Sequence, residues 1–219
     1  MTLERRARWL QQAARGVLDG LGIHYKVDGQ PPTSGLVVAN HLSYLDILLI
    51  GAAMPCFFVA KKEIAGWPFF GQAARSGGTI FIDRSSLASA NAVARQIGER
   101  LNLQAPVLFF PEGTSSDGSG LLRFHSRLFD PATKAGAPVT TASIRYVIDG
   151  GVPERELCWF GDDAFLPHIW KVLDVRGFSA WIRFGEPTIY ADRRTAAEHT
   201  YTEIAAWRQT SAPALDRDN

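Results

Sequence analysis

The chain has 219 residues, a length that suits one sizeable α/β domain with its own buried core. Hydrophobic residues make up 46% and charged residues 21% of it, as in an ordinary folded globular protein, and the formal net charge is +1. A charge balance this close to neutral gives no general attraction to nucleic acid. Any anionic partner must therefore be held by local clusters of positive charge.

The cysteines and the apolar runs exclude several other classes of protein. Cys56 and Cys158 are far apart, in apolar surroundings and without zinc spacing, which predicts buried thiols in a reducing compartment rather than a disulfide. No pattern of metal ligands appears, so we expect neither a metal nor a cofactor. The apolar run 47–60 is broken by Pro55 and is shorter than the roughly 20 residues that a transmembrane helix needs. The basic N-terminus lacks the apolar segment of a signal peptide.

Residues 3–21 are predicted to form an amphipathic helix. Leu3, Ala7, Leu10 and Ala14 recur at helical spacing, while arginines and glutamines occupy the other face. A basic amphipathic helix that contains a tryptophan either lies in a membrane interface or packs on its own domain. The pattern leaves both possibilities open. We divide the chain into this helix (1–22), a main domain (23–211) and a tail (212–219).

Strands and helices alternate through the main domain, and several strands are apolar along their whole length. This pattern predicts an α/β fold with a mostly parallel mixed sheet flanked by helices. The predicted strands are 35–39, 56–60, 78–83, 106–110, 139–147 and 180–184. The predicted helices are 45–54, a broken helix at 61–76, 86–103, 127–135, 163–173 and 195–210.

A histidine and an aspartate follow the first predicted strand. His41 stands at the strand's carboxyl end, where open α/β sheets place their sites, and Asp46 begins the next helix. An aspartate that bonds one imidazole nitrogen leaves the other free to take a proton from a hydroxyl group. The same residues also have a structural interpretation, because Ser43 and Asp46 have the spacing of a helix capping box.

Polar residues also follow the next strands. Arg84 comes directly after the strand 78–83, where a guanidinium can fork onto a phosphate, although a surface ion pair with Asp83 explains it equally well. Glu112, Gly113 and Thr114 follow the strand 106–110, and a backbone N–H of Gly113 or Thr114 is a candidate oxyanion donor. Lys61 follows the strand 56–60, as either an anion-binding or a solvated charge.

Taken in order along the chain, these motifs resemble those of the lysophosphatidic-acid acyltransferase family. His41 and Asp46 match its catalytic H-x4-D block. Residues 78–84 resemble the second block, which ends in a phosphate-binding arginine, and 110–114 resemble its F-P-E-G-T block. Residues 136–139 are similar to the start of its fourth block. The resemblance implies a glycerolipid-acyltransferase-like fold.

It also implies a function. A family member transfers an acyl chain from acyl-CoA or acyl carrier protein to the free hydroxyl of a lysophospholipid, such as 1-acyl-sn-glycerol-3-phosphate, which gives phosphatidic acid. In this chain His41 would be the general base and Asp46 its orienting partner. Lys61, Arg84 and the 112–114 segment would bind substrate. The resemblance further implies a peripheral protein on the cytoplasmic face of the membrane, with a lipid acceptor and no nucleic-acid partner.

Two departures from the family pattern concern the acceptor. Ser115 stands where many members have arginine, a charge that Arg123 or Arg127 would have to replace, and Thr141 stands where the fourth block usually has proline. The segment 110–118 resembles relatives that acylate lyso-ornithine lipid, and 158–162 also resembles some bacterial members. A lyso-ornithine lipid O-acyltransferase and a non-catalytic lipid-binding protein on the membrane surface are therefore the alternatives.

Overall fold

A computed structural model of the chain describes residues 1–83, 85–175 and 177–210. Within these ranges the helices are α1 (Leu3–Gly20), α2 (Leu45–Ala53), α3 (Phe70–Gly77), α4 (Leu87–Arg100), α5 (Asp130–Ala135), α6 (Phe165–Asp174) and α7 (Arg193–Gln209). The strands are β1 (His24–Asp28), β2 (Leu36–Ala39), β3 (Phe57–Lys61), β4 (Ile80–Ile82), β5 (Val107–Phe109), β6 (Val139–Ile148) and β7 (Phe178–Phe184). Short 3-10 turns occupy Lys62–Gly66, Ser126–Phe129, Asp149–Gly151 and Glu154–Leu157.

The described strands form one seven-stranded mixed sheet in the order β1-β7-β6-β2-β5-β3-β4. All neighbouring pairs are parallel except β6 and β7, which run antiparallel. Because β2, β3, β4, β5 and β6 point the same way, their carboxyl ends meet at one edge of the sheet. That edge carries the polar residues that the sequence placed after the strands.

Both faces of the sheet are buried, which explains why the neighbouring strands β2 and β5 have no polar side. In β2, Val37 and Ala39 join the core under α2, while Leu36 and Val38 join the core on the opposite face. Strands covered on both faces read as continuous apolar runs. The predicted fold class, a mostly parallel mixed sheet flanked by helices, is confirmed.

Each of the six predicted strands is present with slightly different ends, and β1 was not predicted. This strand lies at the sheet edge beside β7, and its residues are alternately exposed and half-buried. An edge strand with His24, Lys26 and Asp28 on its solvent side lacks the apolar run that reveals the buried strands. The broken helix at 61–76 proves to be a 3-10 turn followed by α3.

The N-terminal helix packs on its own domain. Ala7, Ala14 and Leu18 are buried, and the side chains of Gln11 and Arg15 both donate to the carbonyl oxygen of Ala52 in α2. The apolar stripe of α1 is therefore occupied by protein contacts. Among the described residues, no helix combines the length and the hydrophobicity required to cross a bilayer.

The part of the cysteine prediction that concerns burial is confirmed. Cys56 and Cys158 are both buried and both free. The predicted tail, 212–219, lies outside the described residues.

A pair of adjacent positions tests the packing of α1. Leu18 is 1% exposed and Val17 is 44% exposed. We expect Leu18→Ala to lower the free energy of unfolding by about 2–5 kcal/mol, because it leaves a cavity in the core, and Val17→Ala to change it by about 0.5 kcal/mol or less. Urea unfolding followed by circular dichroism measures both variants. Equal stability of the two would show that α1 does not share the core.

Candidate active site

The site begins where β2 stops making backbone hydrogen bonds to β6. Asn40 is fully buried, and its side-chain amide replaces the next rung of the ladder. Its Nδ2 donates to the carbonyl oxygen of Ile144 at 3.0 Å, and the N–H of Ile144 donates to its Oδ1 at 2.8 Å. The chain can therefore turn away from the sheet without leaving the backbone of β6 unsatisfied. His41 is the first residue after this turn.

His41 and Asp46 are in contact. Nδ1 of His41 lies 2.8 Å from Oδ2 of Asp46, and that oxygen also accepts the backbone N–H groups of Leu42 (2.7 Å) and Ser43 (3.1 Å). Asp46 is therefore both the partner of the histidine and a cap for the loop, so the two interpretations of the motif are not exclusive. Its other oxygen, Oδ1, accepts the hydroxyl of Tyr146 from β6.

The imidazole of His41 is held flat and leaves one nitrogen open. Its ring stacks on that of Phe110 with centroids 4.0 Å apart and planes 9° from parallel. The side chain is 18% exposed. A carboxylate at Nδ1 favours the tautomer with the proton on Nδ1, which leaves a lone pair on Nε2. Within the described residues no protein group bonds to Nε2.

Glu112 supports the histidine from the other side. Its Oε1 accepts the backbone N–H of His41 at 2.8 Å, and its Oε2 accepts that of Leu122 at 2.7 Å. Burial raises the pKa of Glu112 to about 7, an effect that these two hydrogen bonds partly oppose. The carboxyl group thus ties the loop of His41 to the segment after β5. Both of its oxygens are used in this way.

The structure separates the two candidate oxyanion donors. Gly113 has φ +78° and its N–H donates to the carbonyl oxygen of Phe110 at 3.0 Å, so of the two alternative oxyanion donors this one is already hydrogen-bonded. This hydrogen bond closes the tight turn formed by residues 110–113. Thr114 is exposed, and no acceptor for its N–H is found in the described part of the chain.

The predicted anion-binding residues lie at the end of β3 and after β4. Lys61 pairs in register with Ile82 and its side chain is exposed. Lys62 instead forms an ion pair with Asp83, with Nζ 2.5 Å from Oδ2. This ion pair and the hydrogen bonds that Ser85 donates to Asp83 lower the pKa of Asp83 to about 2. Arg84 lies outside the described residues.

The positions that depart from the family pattern have structural partners. The hydroxyl of Ser115 donates to the backbone carbonyl oxygen of Trp159. The backbone N–H of Trp159 in turn donates to the carbonyl oxygen of Leu42 at 2.9 Å. Thr141 is buried within β6 beside Val38. These contacts join the segment 158–162 to the loop of His41.

Arg123 and Arg127, the predicted substitutes for the missing arginine, are both exposed. Their exposure leaves their charges in solvent, where water screens them.

Three contacts of the site were not predicted. Phe110 stands in the F-P-E-G-T block, where its apolar character predicts only a place in a strand. Trp159 lies in the segment 158–162, whose similarity to some bacterial members predicts no contact. Tyr146 is 100 residues from Asp46, and no spacing rule relates residues on a helix and a strand that far apart.

Comparison with known proteins identifies relatives of this chain. The model of the family described as Acyltransferase matches residues 24–145. The chain is 37% identical over 168 residues to a lyso-ornithine lipid O-acyltransferase of Pseudomonas aeruginosa, covering 76% of this chain and 64% of that protein. It is 36% identical over 186 residues to a 1-acyl-sn-glycerol-3-phosphate acyltransferase of Neisseria meningitidis, covering 83% and 72%. The chain thus spans about two thirds of the length of these relatives.

The fold has a solved counterpart. The 1-acyl-sn-glycerophosphate acyltransferase PlsC from Thermotoga maritima superposes with a TM-score of 0.65 over 94% of this chain and 81% of its own, at 19% identity. A likeness at this identity concerns the fold alone. The match of the family model over more than half of the sequence, with relatives at 36–37% identity, shows that the chain belongs to the acyltransferase family.

Proposed function

We propose that the chain transfers an acyl group from a thioester donor to the hydroxyl of a lysolipid. The observation that carries this proposal is the contact of His41 with the buried Asp46, which leaves Nε2 of the imidazole without a protein partner in the described residues. A histidine arranged in this way is a general base for a hydroxyl group. The names of the relatives support the same class of reaction.

The proposed reaction needs no acyl-enzyme. Nε2 of His41 removes the proton of the acceptor hydroxyl as its oxygen attacks the thioester carbonyl. The N–H of Thr114 is the remaining candidate to stabilise the oxyanion. Collapse of the tetrahedral intermediate forms the ester, breaks the carbon–sulfur bond and returns the proton from His41 to the leaving thiolate. The thioester is already activated, so the proposed chemistry calls for no metal or other cofactor.

The acceptor that we propose first is 1-acyl-sn-glycerol-3-phosphate, which would give phosphatidic acid. Lys61 is exposed at the sheet edge that carries His41 and supplies positive charge for a phosphate. Arg84, two residues beyond β4 in the sequence, is the second cation that we propose for this role. Lyso-ornithine lipid is the second candidate, favoured by the relative from Pseudomonas aeruginosa. We propose acyl-CoA or acyl carrier protein as the donor.

We also propose that the protein binds the membrane peripherally, at its cytoplasmic face, through an exposed apolar face. This face consists of Phe69 and Phe70 at the start of α3 and Leu166, Trp170 and Leu173 on α6, all well exposed to solvent. The three residues of α6 have the spacing of a single helical face. Large apolar side chains in such a cluster mark an interaction surface.

The apolar face adjoins the loop of His41. The ring of Phe165 contacts that of Phe70 at 5.6 Å and that of Tyr44, three residues after His41, at 5.0 Å. A lipid acceptor in the bilayer would therefore reach His41 along an aromatic surface. The stripe of α1, by contrast, is occupied within the domain, so we assign membrane binding to this face.

Replacing the general base tests the reaction. We expect His41→Ala to lower kcat about 10²–10⁴-fold with either acceptor, because the hydroxyl loses its proton acceptor. His24→Ala, which removes an exposed histidine of β1, is the control and should retain full activity. Transfer is measured by mass spectrometry with each lysolipid, in combination with acyl-CoA and with acylated carrier protein.

The four combinations also identify the substrates. Turnover of one lysolipid only would assign the acceptor. No turnover of either lysolipid by the wild-type protein would contradict the proposed function, and full activity of His41→Ala would contradict the role of the histidine.

Matched exposed leucine and isoleucine positions test the membrane surface. Leu166 is 68% exposed on the apolar face, and Ile189 is 67% exposed outside it. We expect the pair Leu166→Gln and Trp170→Gln to lower the partition coefficient for phospholipid vesicles about tenfold or more, since two inserted apolar side chains are lost. Ile189→Gln should leave vesicle sedimentation unchanged. Equal losses in both proteins would show that this face is not the one that docks.

A further inference from the structure

We propose that Tyr146 is a positioning residue that acts on His41 through Asp46: its buried hydroxyl holds the carboxylate in place and sets the basicity of the imidazole. This inference rests on the proposed function. It concerns a residue of β6 that lies in none of the motifs and that touches no reacting atom.

Tyr146 serves one of the two carboxylate oxygens of Asp46. Oδ2 of the carboxylate is shared by His41 and by the backbone N–H groups of Leu42 and Ser43, which come from one loop. In the described part of the chain, Oδ1 has a single donor, the hydroxyl of Tyr146. Asp46 is fully buried and Tyr146 is 3% exposed, so neither group has ready access to water in place of the other.

Tyr146 remains a donor at any pH at which the enzyme works. Burial raises its pKa well above the ordinary value, and the negative charge of Asp46 raises it further. The phenol therefore keeps its proton and donates a hydrogen bond to the carboxylate. A donor on Oδ1 draws charge away from Oδ2, so it weakens the attraction between Asp46 and a protonated His41.

Other ionisable groups surround the pair. Glu154 and Arg208 form an ion pair at 2.6 Å beside β6, with Glu154 also accepting the N–H of Tyr146, and their charges offset each other. Burial raises the pKa of the Cys158 thiol above its ordinary value, so that group stays neutral. Glu112, whose pKa is about 7, titrates in the same range as an ordinary histidine. A rate profile alone would therefore include the titration of Glu112.

The sign of the effect of removing the hydroxyl follows from these charges. Tyr146→Phe leaves Oδ1 of Asp46 without its donor. The proton affinity of the coupled His41–Asp46 pair therefore increases, whether the proton sits on the imidazole or on the carboxylate. The protonated form of the pair is then favoured, so the midpoint of the His41 titration in Tyr146→Phe should lie at higher pH than in the wild type. The carboxylate also loses one of its restraints, so kcat should fall about tenfold even on the alkaline plateau.

The experiment observes His41 directly. Chemical shifts of labelled histidine side chains are titrated by NMR in the full-length wild type and in Tyr146→Phe, with the His41 signal assigned from His41→Ala, and acyl transfer is measured over the same pH range. Tyr190→Phe is the matched control, because its hydroxyl lies 2.8 Å from Nδ1 of His199 at a site away from Asp46. It should move the His199 titration and leave that of His41 and the activity unchanged.

Tyr146→3-fluorotyrosine is the second variant, and it keeps the size and the hydroxyl of the side chain. Its more acidic phenol is a stronger donor, so the pKa of His41 should fall, opposite to the change in Tyr146→Phe. This variant decides the question if Tyr146→Phe does not fold. In an Asp46→Asn background, removal of the Tyr146 hydroxyl should have no further effect on kcat/KM, because its route to His41 is already lost.

These results separate the inference from the proposed function. An unchanged His41 titration in Tyr146→Phe or in the fluorinated protein overturns the inference, whether or not activity falls, because a merely structural loss would not require the pKa to move. Wild-type protein that transfers no acyl chain overturns the proposed function instead. In that case the opposite shifts at His41 would still establish the coupling between Tyr146 and Asp46.

Discussion

The site depends on the hydrogen bonds that satisfy the buried carboxylate of Asp46. A fully buried charge is costly unless each oxygen is hydrogen-bonded, and Asp46 collects four donors from the ring of His41, two backbone N–H groups and the hydroxyl of Tyr146. These donors come from the loop after β2 and from β6. Satisfying one carboxylate therefore fixes the loop, the start of α2 and the sheet relative to each other.

The loop of His41 is held by side chains that substitute for strand partners. Asn40 completes the ladder with Ile144, and Glu112 accepts the N–H of His41 from the neighbouring strand end. Parallel strands that end at an edge leave backbone groups without partners, and here polar side chains bond several of them. The same polar residues that make the edge chemically capable also keep it rigid.

The two helices with apolar faces near the site, α1 and α6, differ in what those faces contact. The stripe of α1 belongs to the core, whereas α6 presents Leu166, Trp170 and Leu173 to solvent although His168 on its other side is buried. His168 bonds the hydroxyl of Tyr44 at 3.0 Å and so fixes α6 beside the loop of His41. The exposed apolar face of α6 therefore lies beside the loop that carries the imidazole.

The sequence by itself determined the order of the helices and of six of the seven described strands, the apolar strands β2 and β5, and the positions of His41 and Asp46, because these follow from local periodicity and short spacing. It also placed Lys61 and Glu112 at strand ends. Only the tertiary structure decided three further features. The N–H of Gly113 is hydrogen-bonded within a turn, Glu112 accepts the backbone N–H of His41, and α1 packs its apolar side against the domain. Tyr146 reaches Asp46 only because β6 lies beside β2 in the sheet, a neighbourhood created by strand pairing across about a hundred residues. Local pattern reports which residues form an element, but the partner that satisfies a buried charge is chosen when the elements pack.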